Sequence, residues 1–216
     1  EKVFSQGNTV LADCNFPYVS VMSNIYGYTQ NCIFYMEDFF KLQTPSANKA
    51  GLEMANTIID EEIELFNWYN QCADITLNIH QNDLQYDFMF LHYMMTRIKY
   101  PDGSISKRFK EIKLDKVAQF YAKQLDSQIR KQIQQPDFDQ QATFNNFYSL
   151  YQIEYAARTT GDNATANSIQ AMLNAHFDAL NAMSPGFGNS FKSALGINQE
   201  EAAAESETAD TAQNNN

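Results

Sequence analysis

TPSANKAGLEMANTIIDEEIELFNWYNQCADITLNIH, residues 44–80, is the stretch whose pattern decides the fold. The Thr44 hydroxyl suits the cap of a helix, and Pro45 suits the first helical turn because its missing N–H would have no partner there. From this start the stretch predicts one long helix that ends at Asn78 or His80. Its length and apolar content are typical of the central helix of a bundle.

Apolar side chains recur through this stretch at alternating steps of four and three residues, as expected for one face of a helix. The first stripe is Met54, Ile58, Leu65, Trp68, Cys72, Ile75 and Ile79. A second stripe widens the face with Leu52, Ala55, Ile59, Phe66, Tyr69 and Ala73. Glu61 interrupts the first stripe, and it is the acidic residue of this helix whose position would bury it.

The flanking sequence predicts further helices, separated by proline and glycine residues that interrupt the 3.6-residue period. A capping box formed by Asp137 and Gln140 predicts the start of one of them, and Gly161 predicts its end. The other predicted helices cover about 17–42, 84–99, 114–134, 163–183 and 187–195. The sequence therefore predicts an all-α fold, a bundle of six to seven helices.

The sequence around residues 97–112 is compatible with two local structures. Residues 100–104 read YPDGS, a strong turn sequence. The residues on either side fit a helix followed by a loop, which we favour, but they also alternate enough to form one short hairpin near 97–112. Ile105 and Phe109 are the apolar residues of its second half.

Three segments are expected along the chain. Residues 1–16 form an extended N-terminal segment, residues 17–196 form the helical domain, and residues 197–216 form a disordered acidic tail. The tail contains no aromatic residue and a single large aliphatic one, Ile197. Such a composition buries too little apolar surface to offset the entropy lost on ordering.

The charged residues are segregated along the chain. Residues 1–96 carry 3 basic and 12 acidic side chains, residues 97–131 carry 10 and 4, and residues 132–216 carry 2 and 10. The net charges are therefore −9, +6 and −8, within a chain of net charge −11. Segregation on this scale influences the choice of partner rather than the fold.

No motif in the sequence points to a catalytic residue, a cofactor or a metal. The three cysteines, Cys14, Cys32 and Cys72, are far apart and form no CxxC pair. The histidines lack the spacing of zinc and di-iron ligands. We interpret His176 as a hydrogen-bonded core residue, because it lies on an apolar stripe. The acidic residues 60–64 are interpreted as a solvated helix face that pairs with the basic segment.

The leading functional prediction is a non-enzymatic helical module for protein–protein interaction: an adaptor, a chaperone or a small subunit of a larger assembly. Two features carry it, a basic loop and a first helix that is apolar on nearly every side. The predicted partner-binding residues are Lys107, Arg108, Phe109, Lys110, Lys113 and Lys116 in the loop, and Phe34, Tyr35 and Phe39 in the helix.

Other partners fit the sequence less well. A nucleic acid would use the basic loop for phosphate contacts, but the rest of the chain is acidic and the loop lacks an aromatic stacking platform. A transmembrane helix is not expected, because polar residues interrupt the longest uncharged stretch. Contact of the basic loop with an anionic membrane surface is a further alternative.

Two alternative functions stay open. A bundle that binds a small apolar ligand would use aromatic and methionine side chains on facing helices. The lining residues expected for it are Met22, Met36, Trp68, Tyr151 and Tyr155. An enzyme with a site assembled from distant residues would use Glu61 and His176.

Overall fold

The computed structural model describes residues 45–71, 77–78, 81–97 and 103–197. Within these residues the chain forms seven helices and no strand, which confirms the all-α prediction. They are α1 (Pro45–Gln71), α2 (Gln81–Arg97), α3 (Ser104–Phe109), α4 (Asp115–Ile133), α5 (Gln140–Thr160), α6 (Asn163–Met183) and α7 (Phe187–Ala194). None of these helices is long and apolar enough to cross a bilayer.

Several predictions fall outside the described residues. These are the extended segment 1–16, the aromatic residues Phe34, Tyr35 and Phe39, the three cysteines and, except for Ile197, the acidic tail. The predicted division of the chain into three segments therefore stays a prediction.

The described residues separate into two compact units. Unit 1 contains the described residues up to Lys123 together with Gln152–Asn167. Unit 2 contains Gln124–Tyr151 and the described residues from Ser168 onward. Each unit has its own aromatic core and its own buried ionisable groups.

Helix α1 begins at Pro45, as the sequence predicts, and its buried face combines the two predicted stripes. The fully buried residues on it are Ala55, Ile58, Ile59, Leu65, Phe66 and Tyr69. The centre of this face passes between the stripes, and Glu62 lies there with 1% of its surface exposed. Glu61 is only half-buried. Glu62 rather than Glu61 is the fully buried acid, because the face is centred between the stripes rather than on the first.

In the described part of residues 97–112, Ser104–Phe109 is a helix, so the favoured loop and the alternative hairpin are both wrong there. Ile105 and Phe109 are four residues apart, so a helical turn places both on one face. Both are buried, and α3 lies against α1. Alternation at this spacing fits a strand and a helix equally well, and packing against α1 selects the helix.

The turn between α5 and α6 forms at Gly161 and Asp162, as the sequence predicts. Gly161 has φ 90°, a left-handed conformation that ends α5, and the Asp162 N–H donates to the Ala157 carbonyl at 2.9 Å. The Asp162 carboxylate then caps α6 by accepting from the Thr165 N–H at 3.1 Å. Helix α6 consequently has its predicted bounds.

The start of α5 differs from the prediction. Asp139 caps the helix, since its Oδ1 accepts from the Ala142 N–H at 2.9 Å. The predicted cap, Asp137, lies two residues earlier and is exposed. A capping box requires the acid to be the residue immediately before the first helical one, and α5 begins only at Gln140.

Two large apolar residues of α5 and α6 are exposed. Tyr148 of α5 and Met183 of α6 leave 41% and 48% of their surface in water. Helix α5 buries an unbroken run of side chains from Ser149 to Glu154, polar ones included. A helix buried on several sides has no single apolar stripe for the sequence to reveal.

We expect Asp139→Ala to lower the free energy of unfolding by about 1 kcal/mol, because the α5 N-terminus loses its capping carboxylate. Urea unfolding followed by circular dichroism measures this change. The matched control is Asp137→Ala, which should stay within about 0.5 kcal/mol of the wild type, as exposed substitutions do. Equal effects of the two substitutions would contradict the assignment of Asp139 as the cap.

Candidate functional site

Arg108 joins the basic loop to α1. Its guanidinium donates to Asp60 Oδ1 at 2.6 Å, to Asn56 Oδ1 at 2.8 Å and to Glu111 Oε1 at 3.1 Å. The hydrogen bond with Asp60 is the largest of the effects that raise the pKa of Arg108. Asp60 therefore pairs with the basic segment as predicted, whereas Glu62 is buried, so the prediction of a solvated face is wrong at Glu62.

Asn70 holds the far end of the loop against the same helix. Its side-chain amide donates to the Lys113 carbonyl at 2.7 Å, and its Oδ1 accepts from the Val117 N–H at 3.4 Å. Arg108 binds α1 just before residues 110–113, and Asn70 of α1 binds the backbone at Lys113, so both ends of this short segment are fixed to α1. The loop is therefore preorganised, which lowers the entropy cost of binding a partner.

Four lysines of the basic segment extend into solvent, Lys107 from α3, Lys110 and Lys113 from the loop after it, and Lys116 from α4. Lys107, Lys110, Lys113 and Lys116 are all exposed, and none of their ammonium groups forms an ion pair with a described residue. We refer to these four residues as the lysine surface. Lys113 donates one hydrogen bond, to the Lys110 carbonyl at 3.2 Å. The other predicted loop contact, Phe109, is 2% exposed and belongs to the core of unit 1.

The backbone is strained within the lysine surface. Asp115 has φ 34°, the one positive φ at a non-glycine residue among the described residues. Such conformations cost free energy and are retained when the surrounding structure fixes them. Asp115 lies between Lys113 and Lys116 at the start of α4, so this strained turn sets the direction in which those two lysines leave the fold.

A second cluster of ionisable groups lies inside unit 1. Glu62 of α1 is 1% exposed, and its Oε2 has no hydrogen-bond partner. Asp87 of α2 is 2% exposed and accepts a hydrogen bond from the Tyr69 hydroxyl at 2.6 Å. Burial, followed by the charges of Asp87 and Glu61, raises the pKa of Glu62 well above its ordinary value of 4.5.

The residues of the enzyme alternative have separate neighbours. Glu61 lies half-buried in unit 1, where burial and then the charge of Glu64 raise its pKa. His176 lies in unit 2 with 2% exposure, which confirms that it is a core residue, but its buried Nε2 lacks the predicted hydrogen bond. Each side chain thus lies in a different electrostatic environment.

His176 contacts a carboxylate and a phenyl ring. Its Nε2 lies 2.8 Å from Asp126 Oδ1, outside the angular range of a hydrogen bond, and its ring meets the edge of Phe147 at 5.7 Å. Asp126 also accepts from Arg130 Nε at 2.9 Å. Burial lowers the pKa of His176; Asp126 opposes this effect and Arg130 adds to it.

A shallow groove of about 390 Å³ lies in unit 2. Phe144 and Phe191 contribute its apolar surface, and Gln140, Gln141, Ser190 and Ala194 complete the lining. The residues expected to line a ligand pocket are elsewhere: Trp68 and Tyr151 fill the core, and Met22 and Met36 lie outside the described residues. The groove therefore does not correspond to the pocket that the sequence predicts.

In comparisons with known proteins, no family model, no curated protein and no solved structure matches the chain. Its function is therefore inferred from its own residues. In the part of the chain that the structure describes, no group of three or more His, Cys, Asp or Glu side chains is arranged to hold a metal ion.

Sequence analysis missed Asn70, Asp87 and Asp126. Asp87 and Asp126 each belong to a local sequence pattern that could have identified them. Asp87 lies on the buried stripe of α2 with Leu84, Phe88 and Leu91, and Asp126 is four residues before its partner Arg130. Asn70 had no such pattern, because its partners are 43 and 47 residues away along the chain.

We expect Arg108→Ala to lower the free energy of unfolding by about 1–2 kcal/mol. Hydrogen bonds to charged groups contribute about 1.5–3 kcal/mol, and solvent at Asp60 weakens this one by screening. Urea unfolding tests it, with Lys107→Ala as a control that should change stability by less than about 0.5 kcal/mol. A double-mutant cycle with Asp60→Ala that gives no coupling energy would refute the pairing.

We expect His176 to make the protein less stable in mild acid. Its pKa is lowered in the folded state, so the unfolded chain binds the proton more readily and stability falls as the pH drops through 6.5. His176→Gln should reduce this loss, measured as the difference in unfolding free energy from wild type at about pH 7.5 and about pH 5.5. A difference that does not vary with pH would show that His176 has an unshifted pKa.

Proposed function

We propose that this protein is a non-enzymatic helical interaction module that binds an acidic segment of a partner protein through the lysine surface. One observation carries the proposal. The fold uses Arg108 and Phe109 of the basic loop for its own packing, yet leaves Lys107, Lys110, Lys113 and Lys116 exposed and without ion pairs among the described residues.

The fixed geometry of the loop supports this proposal. Four like charges close together repel one another, and they remain together because Arg108 and Asn70 attach the loop to α1. An acidic partner segment would relieve that repulsion and would meet a surface that needs little further ordering. The aromatic residues Phe34, Tyr35 and Phe39 remain predicted contacts of the same module.

The charge of the whole chain favours an acidic protein segment over a nucleic acid. With a net charge of −11, the protein repels a long polyanion over most of its length. A short acidic segment makes contact only with the lysine surface, and at ordinary ionic strength charges more than about 10 Å away are largely screened. The loop also lacks aromatic side chains on which bases would stack, since Phe109 is buried.

We expect the full chain to bind a poly-glutamate peptide weakly at low salt, and Lys110→Glu combined with Lys113→Glu to abolish that binding. Fluorescence anisotropy of a labelled peptide measures it. Binding by the wild type should weaken as salt is added, because the screening length falls from about 10 Å at 0.1 M to about 3 Å at 1 M.

Lys123→Glu combined with Lys131→Glu is the matched control. It changes the net charge by the same amount at two exposed lysines outside the lysine surface, so the peptide should still bind. Equal loss with both double variants would show a general charge effect and contradict the proposal. Tighter binding of a DNA duplex or of anionic vesicles than of the peptide would also contradict it, in favour of a different partner class.

A further inference from the structure

No described residue compensates the charge that the buried Glu62 side chain would carry when ionised. Moving an ionised carboxylate out of water costs more free energy than a fold can tolerate, unless a cation or several hydrogen bonds replace the lost hydration. Glu62 is 1% exposed, and its Oε2 has no hydrogen-bond partner. The side chain is also at the centre of the buried face of α1, so a small movement does not return it to solvent.

The groups around Glu62 make the ionised form still less favourable. Asp87 faces it from α2, and Glu61 precedes it on α1; both carry negative charge. The hydroxyl of Tyr69, two helical turns further along the same face, donates to Asp87 rather than to Glu62. The hydrogen bond available in this cluster is therefore already used.

The guanidinium that approaches α1 from α3 is already paired. Arg108 binds Asp60 and Asn56 of α1 through its two terminal nitrogens, and its Nε–H donates to Glu111. The described residues also offer no third ligand with which Glu62 and Asp87 would hold a metal ion. A proton is the one cation that needs no further ligand, and it can reach the carboxylate by any path that admits a water molecule.

We propose that unit 1 folds around a protonated Glu62, so that the Glu62–Asp87 pair is a built-in proton-binding site whose occupancy sets how tightly α1 and α2 pack. The proton neutralises one of two buried carboxylates while Tyr69 satisfies the other. Loss of the proton places two like charges between the helices, and the packing of Phe66 on Phe88, with ring centres 5.5 Å apart, is the contact that would loosen.

The direction of the pH effect follows from linkage. The pKa of Glu62 is raised in the folded state above its unfolded value of 4.5, so the folded protein binds this proton more tightly than the unfolded chain does. Its contribution to stability is complete below pH 4.5 and is lost as the pH rises through the raised value. This is opposite in sign to the effect of His176, whose proton is bound more tightly by the unfolded chain.

The test is urea unfolding of the full chain at about pH 5 and about pH 8, comparing the wild type with Glu62→Gln. Glutamine has the shape of a protonated glutamic acid and cannot ionise. We expect the variant to raise the unfolding midpoint at the higher pH, and to raise it much less at the lower pH. Glu64→Gln is the matched control, an exposed position on the same helix, and should shift the midpoint equally at both pH values.

Other outcomes would overturn the proposal. A midpoint difference between wild type and Glu62→Gln that does not vary with pH would show that Glu62 has no special proton affinity. Stabilisation of the wild type, but not of the variant, by added Ca²⁺ or K⁺ would show a cation site instead. If Glu62→Gln does not fold, the infrared C=O band of a buried protonated carboxyl in the wild type at neutral pH decides, and its absence refutes the proposal.

Discussion

In unit 1, three elements are joined to a single helix, α1. Helix α2 contacts it through the Tyr69–Asp87 hydrogen bond and the rings of Phe66 and Phe88. Helix α3 contacts it through Arg108, and the loop that follows contacts it through Asn70. The position of the lysine surface and the burial of Glu62 both depend on which sides of α1 these neighbours occupy.

The cost of removing charge from water explains how the ionisable groups of this protein are distributed. Arg108 enters the interface with α1 only in company with Asp60, Asn56 and Glu111. The four lysines near it remain in solvent, where their charge costs nothing. Glu62 and His176 are buried, and in both cases burial shifts the pKa toward the neutral form. Pairing, exposure and neutralisation are the three ways in which a fold accommodates charge, and this chain uses all of them.

The lysine surface and the Glu62–Asp87 pair differ in what they do for the protein. The first is exposed, charged and held in place, which are the properties of a surface that meets a partner of opposite charge. The second is sealed from solvent and coupled to the packing of two helices, which are the properties of a group that links stability to pH. Glu62 lies on α1, and the segment that carries the lysine surface is attached to α1 through Arg108 and Asn70, so a change in how α2 packs on α1 acts on the helix that also anchors the lysine surface.

The sequence by itself determined most of the helices. The start of α1 at Pro45, the turn at Gly161 and both ends of α6 were predictable, because caps, turns and apolar periodicity depend on residues within one or two helical turns of each other. The charge segregation that marks the basic loop was equally visible. Where local patterns were ambiguous, as for α3 and the first turn of α5, the prediction was wrong or shifted.

Only the tertiary structure decided which of these residues make a site. That Glu62 rather than Glu61 is buried depends on where the neighbours of α1 pack, and a difference of one residue turns a side chain by about 100° around the helix. That Arg108 is paired while four lysines remain in solvent depends on Asp60, which is 48 residues away along the chain. Such contacts leave no periodic trace in the sequence, because each is made once, between segments that folding alone brings together.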